Sequence, residues 1–156
     1  QEVAWYPQFM YARYKDWVEH LQWDWCLSRQ RFYGIPFPVW HCTNCKEVIT
    51  AQVDQLPIDP QAHVFGKNCP RCDSSDIVPD TDVMDTWNTS SLTPYICKEL
   101  FTNQDPFTNS DGSFLPMSMR PQAHDIIRTW AFYTIIKSLF HEKKMPWKRL
   151  LFLVMS

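Results

Sequence analysis

At 156 residues the chain is long enough for one domain with a buried core. Hydrophobic residues at 45% against 21% charged residues exclude a disordered chain. A formal charge of −2 gives no reason for the whole surface to hold nucleic acid and leaves room only for a local basic patch.

Eight Trp against three Gly require pockets or partner surfaces for the indole rings. No apolar run approaches a membrane span and no signal peptide opens the chain. The start at Gln1-Glu2-Val3 and the end at Val154-Met155-Ser156 read as cut, which suggests an excised fragment.

In chain order, Pro7 to Gln22 predicts an amphipathic helix, with Met10, Tyr14, Trp17, Val18 and Leu21 at helical spacing. Gly34-Ile35-Pro36-Phe37-Pro38 is a break. Val39 to His41 and Glu47 to Thr50 predict short strands around a first Cys pair, and Leu56 to His63 a loop. Thr93 to Phe101 predicts a short helix, followed by a polar loop from Thr102 to Gly112. Leu115 to Arg120 is a candidate strand stopping at Pro121, His124 to His141 a long helix ending before Pro146, and Leu150 to Met155 a strand. Strand, long helix and strand together predict a right-handed parallel crossover in an α/β fold.

Cys42-x2-Cys45 and Cys69-Pro70-Arg71-Cys72 are two knuckles. A two-residue gap lets both thiolates of a pair turn onto one metal, and the loop between the pairs has about the length of a zinc ribbon. Disulfides and unpaired core cysteines are the competing readings; disulfides need an oxidising compartment, and nothing suggests secretion. Four thiolates complete a tetrahedron with no open position for water, so the expected zinc is structural. Cys26 and Cys97 are expected to be buried small hydrophobes.

Three blocks around this ribbon resemble the class Ia aminoacyl-tRNA synthetases. Asp24 to Gln30 with Gly34-Ile35-Pro36 is similar to the segment that re-enters the catalytic domain after the editing domain. Asp82-Val83-Met84-Asp85-Thr86-Trp87 resembles an Asp-Val-x-Asp-Thr-Trp block, and Arg120 to Trp130 the block that closes over aminoacyl-adenylate. Order and spacing resemble the valyl branch. The resembling region runs from about Trp5 to Trp147. The isoleucyl branch differs in carrying Gly-Trp-Phe where this chain has Arg128-Thr129-Trp130-Ala131.

The resemblance implies the second half of a Rossmann-like class I catalytic domain with an inserted four-cysteine zinc ribbon. It divides the chain into a re-entry segment at 1–38, the ribbon at 39–79 and the catalytic half at 80–156. It implies a cytoplasmic ligase that activates valine with ATP and Mg²⁺ and transfers it to tRNA(Val). Trp87, Ile126 and Trp130 match walls of the amino-acid pocket, and Gln122, Ala123 and Asp125 match the adenylate site. Arg29 and Gln30 match a segment near the tRNA acceptor end. A pocket of this kind separates neighbours one methylene apart only about a hundredfold. Many relatives have Gly where Ala123 stands. Neither His-Ile-Gly-His nor Lys-Met-Ser-Lys-Ser occurs, so the fragment alone is expected to be inactive.

The residues by themselves also admit plainer roles. Trp87 and Trp130 read as core aromatics, Asp80, Asp82 and Asp85 as helix-capping or loop carboxylates, and His124 as a polar residue at a helix start. Lys143, Lys144, Lys148 and Arg149 form a basic cluster that faces either tRNA phosphates or solvent. A free-standing zinc-ribbon module binding nucleic acid or protein is the rival from another class. Glu47, Asp54 and Asp59 between the Cys pairs argue against phosphate binding there.

Overall fold

The computed structural model describes residues 3–101, 108 and 112–153. The chain forms two compact units, Gln1–Trp25 with Trp87–Ser156, and Cys26–Thr86. No helix among the described residues is long and apolar enough to cross a membrane.

The first unit is built on three parallel strands, β1 (Ala4–Tyr6), β7 (Arg120–Ala123) and β8 (Arg149–Leu153), in the order β1-β8-β7. β8 alternates, burying Leu150 and Phe152 and exposing Arg149, Leu151 and Leu153. Its buried side chains join Trp5, Met10, Ile127, Trp130 and Trp147 in the core. Each buried aliphatic or aromatic contributes about 2 kcal/mol. The parallel pairing of β7 with β8 across an intervening helix bears out the parallel connection read from the sequence.

Helix α1 (Met10–His20) is shorter than the predicted span. Pro7 lies in the turn before it, where its carbonyl accepts the Met10 N–H at 3.1 Å. Helix α3 (Thr93–Phe101) matches its prediction. The expected polar loop over 102–112 and the end of the last strand beyond Leu153 lie outside the described residues, apart from 108 and 112.

The expected strand over 115–120 is corrected. The strand occupies Arg120–Ala123 and runs through Pro121. β7 is the edge of its sheet, where a missing N–H costs nothing on the open side. Leu115 is buried without strand pairing, so its apolar character serves packing instead. The long helix is also not regular. It opens with a 3₁₀ turn at His124–Ile126, widens into a π turn at Ile127–Ala131, and becomes α4 (Phe132–Glu142). Lys143, in the left-handed conformation with φ 56°, ends α4.

The second unit holds a three-stranded antiparallel sheet, β4-β3-β5, from β3 (Val39–Cys42), β4 (Val48–Thr50) and β5 (Ile77–Pro79). Trp40 packs on Phe65 and donates its indole N–H to the His63 carbonyl, which folds the long intervening loop onto the sheet. A second ribbon pairs β2 (Ser28–Arg29) with β6 (Val83–Met84). Gly34 makes that ribbon possible, because a Cβ there would meet Val83 Cγ2 at 2.6 Å.

Candidate active-site half and metal centre

Cys42 ends β3, and Cys45 follows in the turn toward β4. Both knuckles use the same turn. The Lys46 N–H returns to the Cys42 carbonyl at 3.0 Å, and the Asp73 N–H to the Cys69 carbonyl at 2.9 Å. Lys46 and Asp73 sit at φ 63° and 59°, a conformation that glycine adopts at least cost. The Arg71 N–H points at Cys69 Sγ at 3.4 Å.

The turns bring four sulfurs within 4.8 Å of one another, with Cys42–Cys72 and Cys45–Cys69 each at 3.6 Å. A tetrahedron with Zn–S bonds of ~2.3 Å has edges of about 3.8 Å, so the donor set fits zinc. Backbone N–H groups of Cys45 and Asn44 hold the Cys42 thiol down at about 7, whereas burial and the neighbouring sulfurs push Cys45 up to about 12. The thiolate at Cys45 is therefore resisted, a cost that a divalent cation bound to the sulfurs would offset. His41, beside the first knuckle, bonds Asp80 at 2.8 Å instead of joining the sulfurs. Cys26 is exposed, not buried as expected, and its sulfur lies 3.4 Å from Ser28 Oγ.

The three aspartates do not gather as a metal cluster. Asp80 holds His41 and accepts the Asp82 N–H, Asp82 accepts the Gln30 amide at 2.7 Å, and Asp85, almost fully buried, pairs with Arg29 at 2.8 Å. Arg29 also donates to the carbonyls of Cys26 and Ser28, so this guanidinium binds β2 to β6.

In the first unit, Gln122 and Ala123 end β7, at the carboxyl edge of the parallel sheet where open α/β folds bind ligands. Gln122 is only 4% exposed, yet its Oε1 has no partner among the described residues. Asp125 follows in the 3₁₀ turn, its side chain 77% exposed and 3.2 Å from His124 Nε2. Both line an open cleft of about 450 Å³ with Arg13, Ile127 and Arg128. Trp87, Ile126 and Trp130 are not among the residues lining it.

Trp130 is 6% exposed. The Arg120 guanidinium lies 4.2 Å from its ring centroid and Trp147 5.0 Å, while its indole N–H bonds the Ser90 carbonyl at 2.9 Å. Burial lowers the Arg120 pKa, and the ring face returns part of that cost. Ser90 ends the one-turn helix α2 (Thr86–Ser90), on which Trp87 is 37% exposed. Trp87 and Trp130 therefore belong to two elements tied by a hydrogen bond, and Ile126 packs at the edge of the same core.

A family model described as tRNA synthetases class I (I, L, M and V) matches residues 1–155. This chain belongs to the class I tRNA synthetases. Valine–tRNA ligases of Thermoplasma volcanium and Thermoplasma acidophilum are 47% and 45% identical over 96% and 97% of the chain. That of Methanopyrus kandleri is 44% identical over 97%. The chain spans 16–18% of the length of these relatives. A leucyl-tRNA synthetase solved in ternary complex with tRNA and LeuAMS, from Agrobacterium radiobacter K84, shares the fold. Its TM-score is 0.61 at 22% identity, over 92% of this chain and 22% of that one.

Sequence reasoning about this class I synthetase segment passed over Lys137. Its ammonium donates to both the carbonyl and Oδ1 of Asn88, at 2.6 and 2.5 Å. The available signal was a lysine two turns beyond Trp130 within an otherwise apolar run.

Proposed function

We propose that the chain is part of the catalytic domain of a valine–tRNA ligase, supplying walls of the amino-acid pocket and part of the adenylate site. The whole enzyme activates valine with ATP and Mg²⁺ and passes the valyl group to tRNA(Val). The observation that carries this reading is the run of valine–tRNA ligases at 43–47% identity across at least 94% of the chain. Trp87, Ile126 and Trp130 wall a dry slot for an isopropyl group. Asp125 and the backbone at Ala123 receive the ribose, and the orphaned Gln122 Oε1 accepts from a ligand donor. An unpartnered buried acceptor is costly, so a ligand that satisfies it gains affinity.

The second part of the proposal concerns the metal. Cys42, Cys45, Cys69 and Cys72 hold one structural zinc, which supplies folding energy to residues 39–79 and no chemistry, since four thiolates leave no position for water. Resemblance alone supports a tRNA contact by Arg29 or Gln30, whose side chains already join β2 to β6.

The test replaces the matching segment of the Thermoplasma volcanium enzyme with this chain and measures valine-dependent ATP–pyrophosphate exchange. Exchange within about tenfold of the parent is the expected result, a loss of one hydrogen bond's worth of barrier at most. A folded, zinc-loaded graft with no exchange contradicts the proposal.

A further inference from the structure

Helix α2 is five residues long, too short to hold its shape by its own hydrogen bonds. The carbonyls at its C-terminal end have no partners inside so short a helix. Other groups fill them. The Ser90 carbonyl accepts the Trp130 indole N–H and the Thr93 hydroxyl, and the Asn88 carbonyl accepts the Ser91 hydroxyl and the Lys137 ammonium. Lys137 and Trp130 stand seven residues apart, two helical turns, so one face of the long helix grips α2 at two points.

The lysine grip is the stronger in kind. It is charge-assisted and made to two atoms of one residue, which fixes orientation as well as distance. A cation at the C-terminal end of a helix also meets the negative end of its dipole. Asn88 directly follows Trp87, so whatever fixes Asn88 fixes the angle at which the indole leaves the backbone.

We infer that Lys137 is a specificity-positioning residue: by clamping Asn88 it holds Trp87 against the amino-acid pocket while touching no substrate. This rests on the reading of Trp87 as a pocket wall. A positioned wall rejects the larger neighbour through shape, so loosening it first blurs the distinction between valine and isoleucine.

Two measurements test it. In the chain itself, Lys137→Met speeds amide exchange of Ser91, whose N–H bonds the Trp87 carbonyl, by about tenfold, the worth of one charge-assisted hydrogen bond. Asn88→Ala removes the Oδ1 acceptor and gives a smaller change in the same direction, while Lys137→Arg restores part of the protection. In the grafted enzyme, Lys137→Met raises KM for valine and lowers the valine-to-isoleucine ratio of kcat/KM several-fold, with KM for ATP unchanged. Unchanged exchange at Ser91 overturns the clamp. Faster exchange with unaltered selectivity in an active graft overturns the specificity role. A graft inactive before any substitution contradicts the ligase reading instead, and the exchange measurement still decides the clamp.

Discussion

Two positions show how single residues set local geometry. Gly34 lies against Val83 so closely that any side chain must displace a buried valine or open the β2–β6 ribbon. Gly34→Ala is expected to destabilise the second unit by about 1–3 kcal/mol, the usual cost of overpacking, measured by chemical denaturation. Lys137 is the second. Burial lowers its pKa below the ordinary lysine value, so the folded chain sheds that proton at a lower pH than the unfolded chain. Within the window between the two values the unfolded state binds more protons, and stability contributed through this residue rises with pH. Below the folded value the burial cost is paid in full. The stability advantage of the natural chain over Lys137→Met therefore grows as pH climbs toward the ordinary lysine value of 10.5. A difference that shrinks over that range would show that pairing outweighs burial at this ammonium.

At the scale of elements, the two knuckles and the long helix were legible to different degrees. Cys-x2-Cys spacing is a direct statement of geometry, so the thiolates converge as read from the sequence. The turns themselves were not foreseeable, because Lys46 and Asp73 occupy left-handed positions without the glycine that would announce them. The segment from His124 to Ala131 hid its 3₁₀ and π turns because apolar spacing reports the average face of a helix, not its local pitch. Pro121 misplaced a strand end, since only the sheet order tells that β7 is an edge. The side-chain partners of Asp80, Asp82 and Asp85 lie up to 56 positions away, in the case of Arg29 and Asp85, beyond any local pattern. The ribbon buries few large side chains, chiefly Trp40 and Ile49, which is little core for an independent unit. Chelation of zinc, or Cys69→Ser, is accordingly expected to unfold residues 39–79. Loss of the β3–β5 amide protection would accompany release of about one equivalent of metal per chain, as structural zinc contributes on the order of 10 kcal/mol. Intact protection after metal removal would show that the sheet stands without it.

For the whole molecule, the three-stranded parallel sheet keeps apolar side chains exposed among the described residues. Tyr6, Leu151 and Leu153 remain exposed on the strands, whereas parallel sheets are ordinarily buried on both sides. The proposed site draws on Gln122, Asp125 and the two tryptophans, and neither phosphate-clamping signature occurs in the sequence. The family was readable because three separate blocks stand in order around the cysteines. The way Trp130 and Lys137 bind α2 was not, because it depends on donors meeting carbonyls some forty to fifty residues away. The central claim is that this segment shapes a valine pocket within a ligase. Amino-acid selectivity of the grafted Thermoplasma volcanium enzyme in ATP–pyrophosphate exchange tests it most directly, with the isolated chain, expected to give no exchange, as the control. The account predicts that valine exceeds isoleucine in kcat/KM by about a hundredfold, the limit of discrimination by one methylene. Equal use of the two amino acids, or preference for isoleucine, by a folded graft would contradict it.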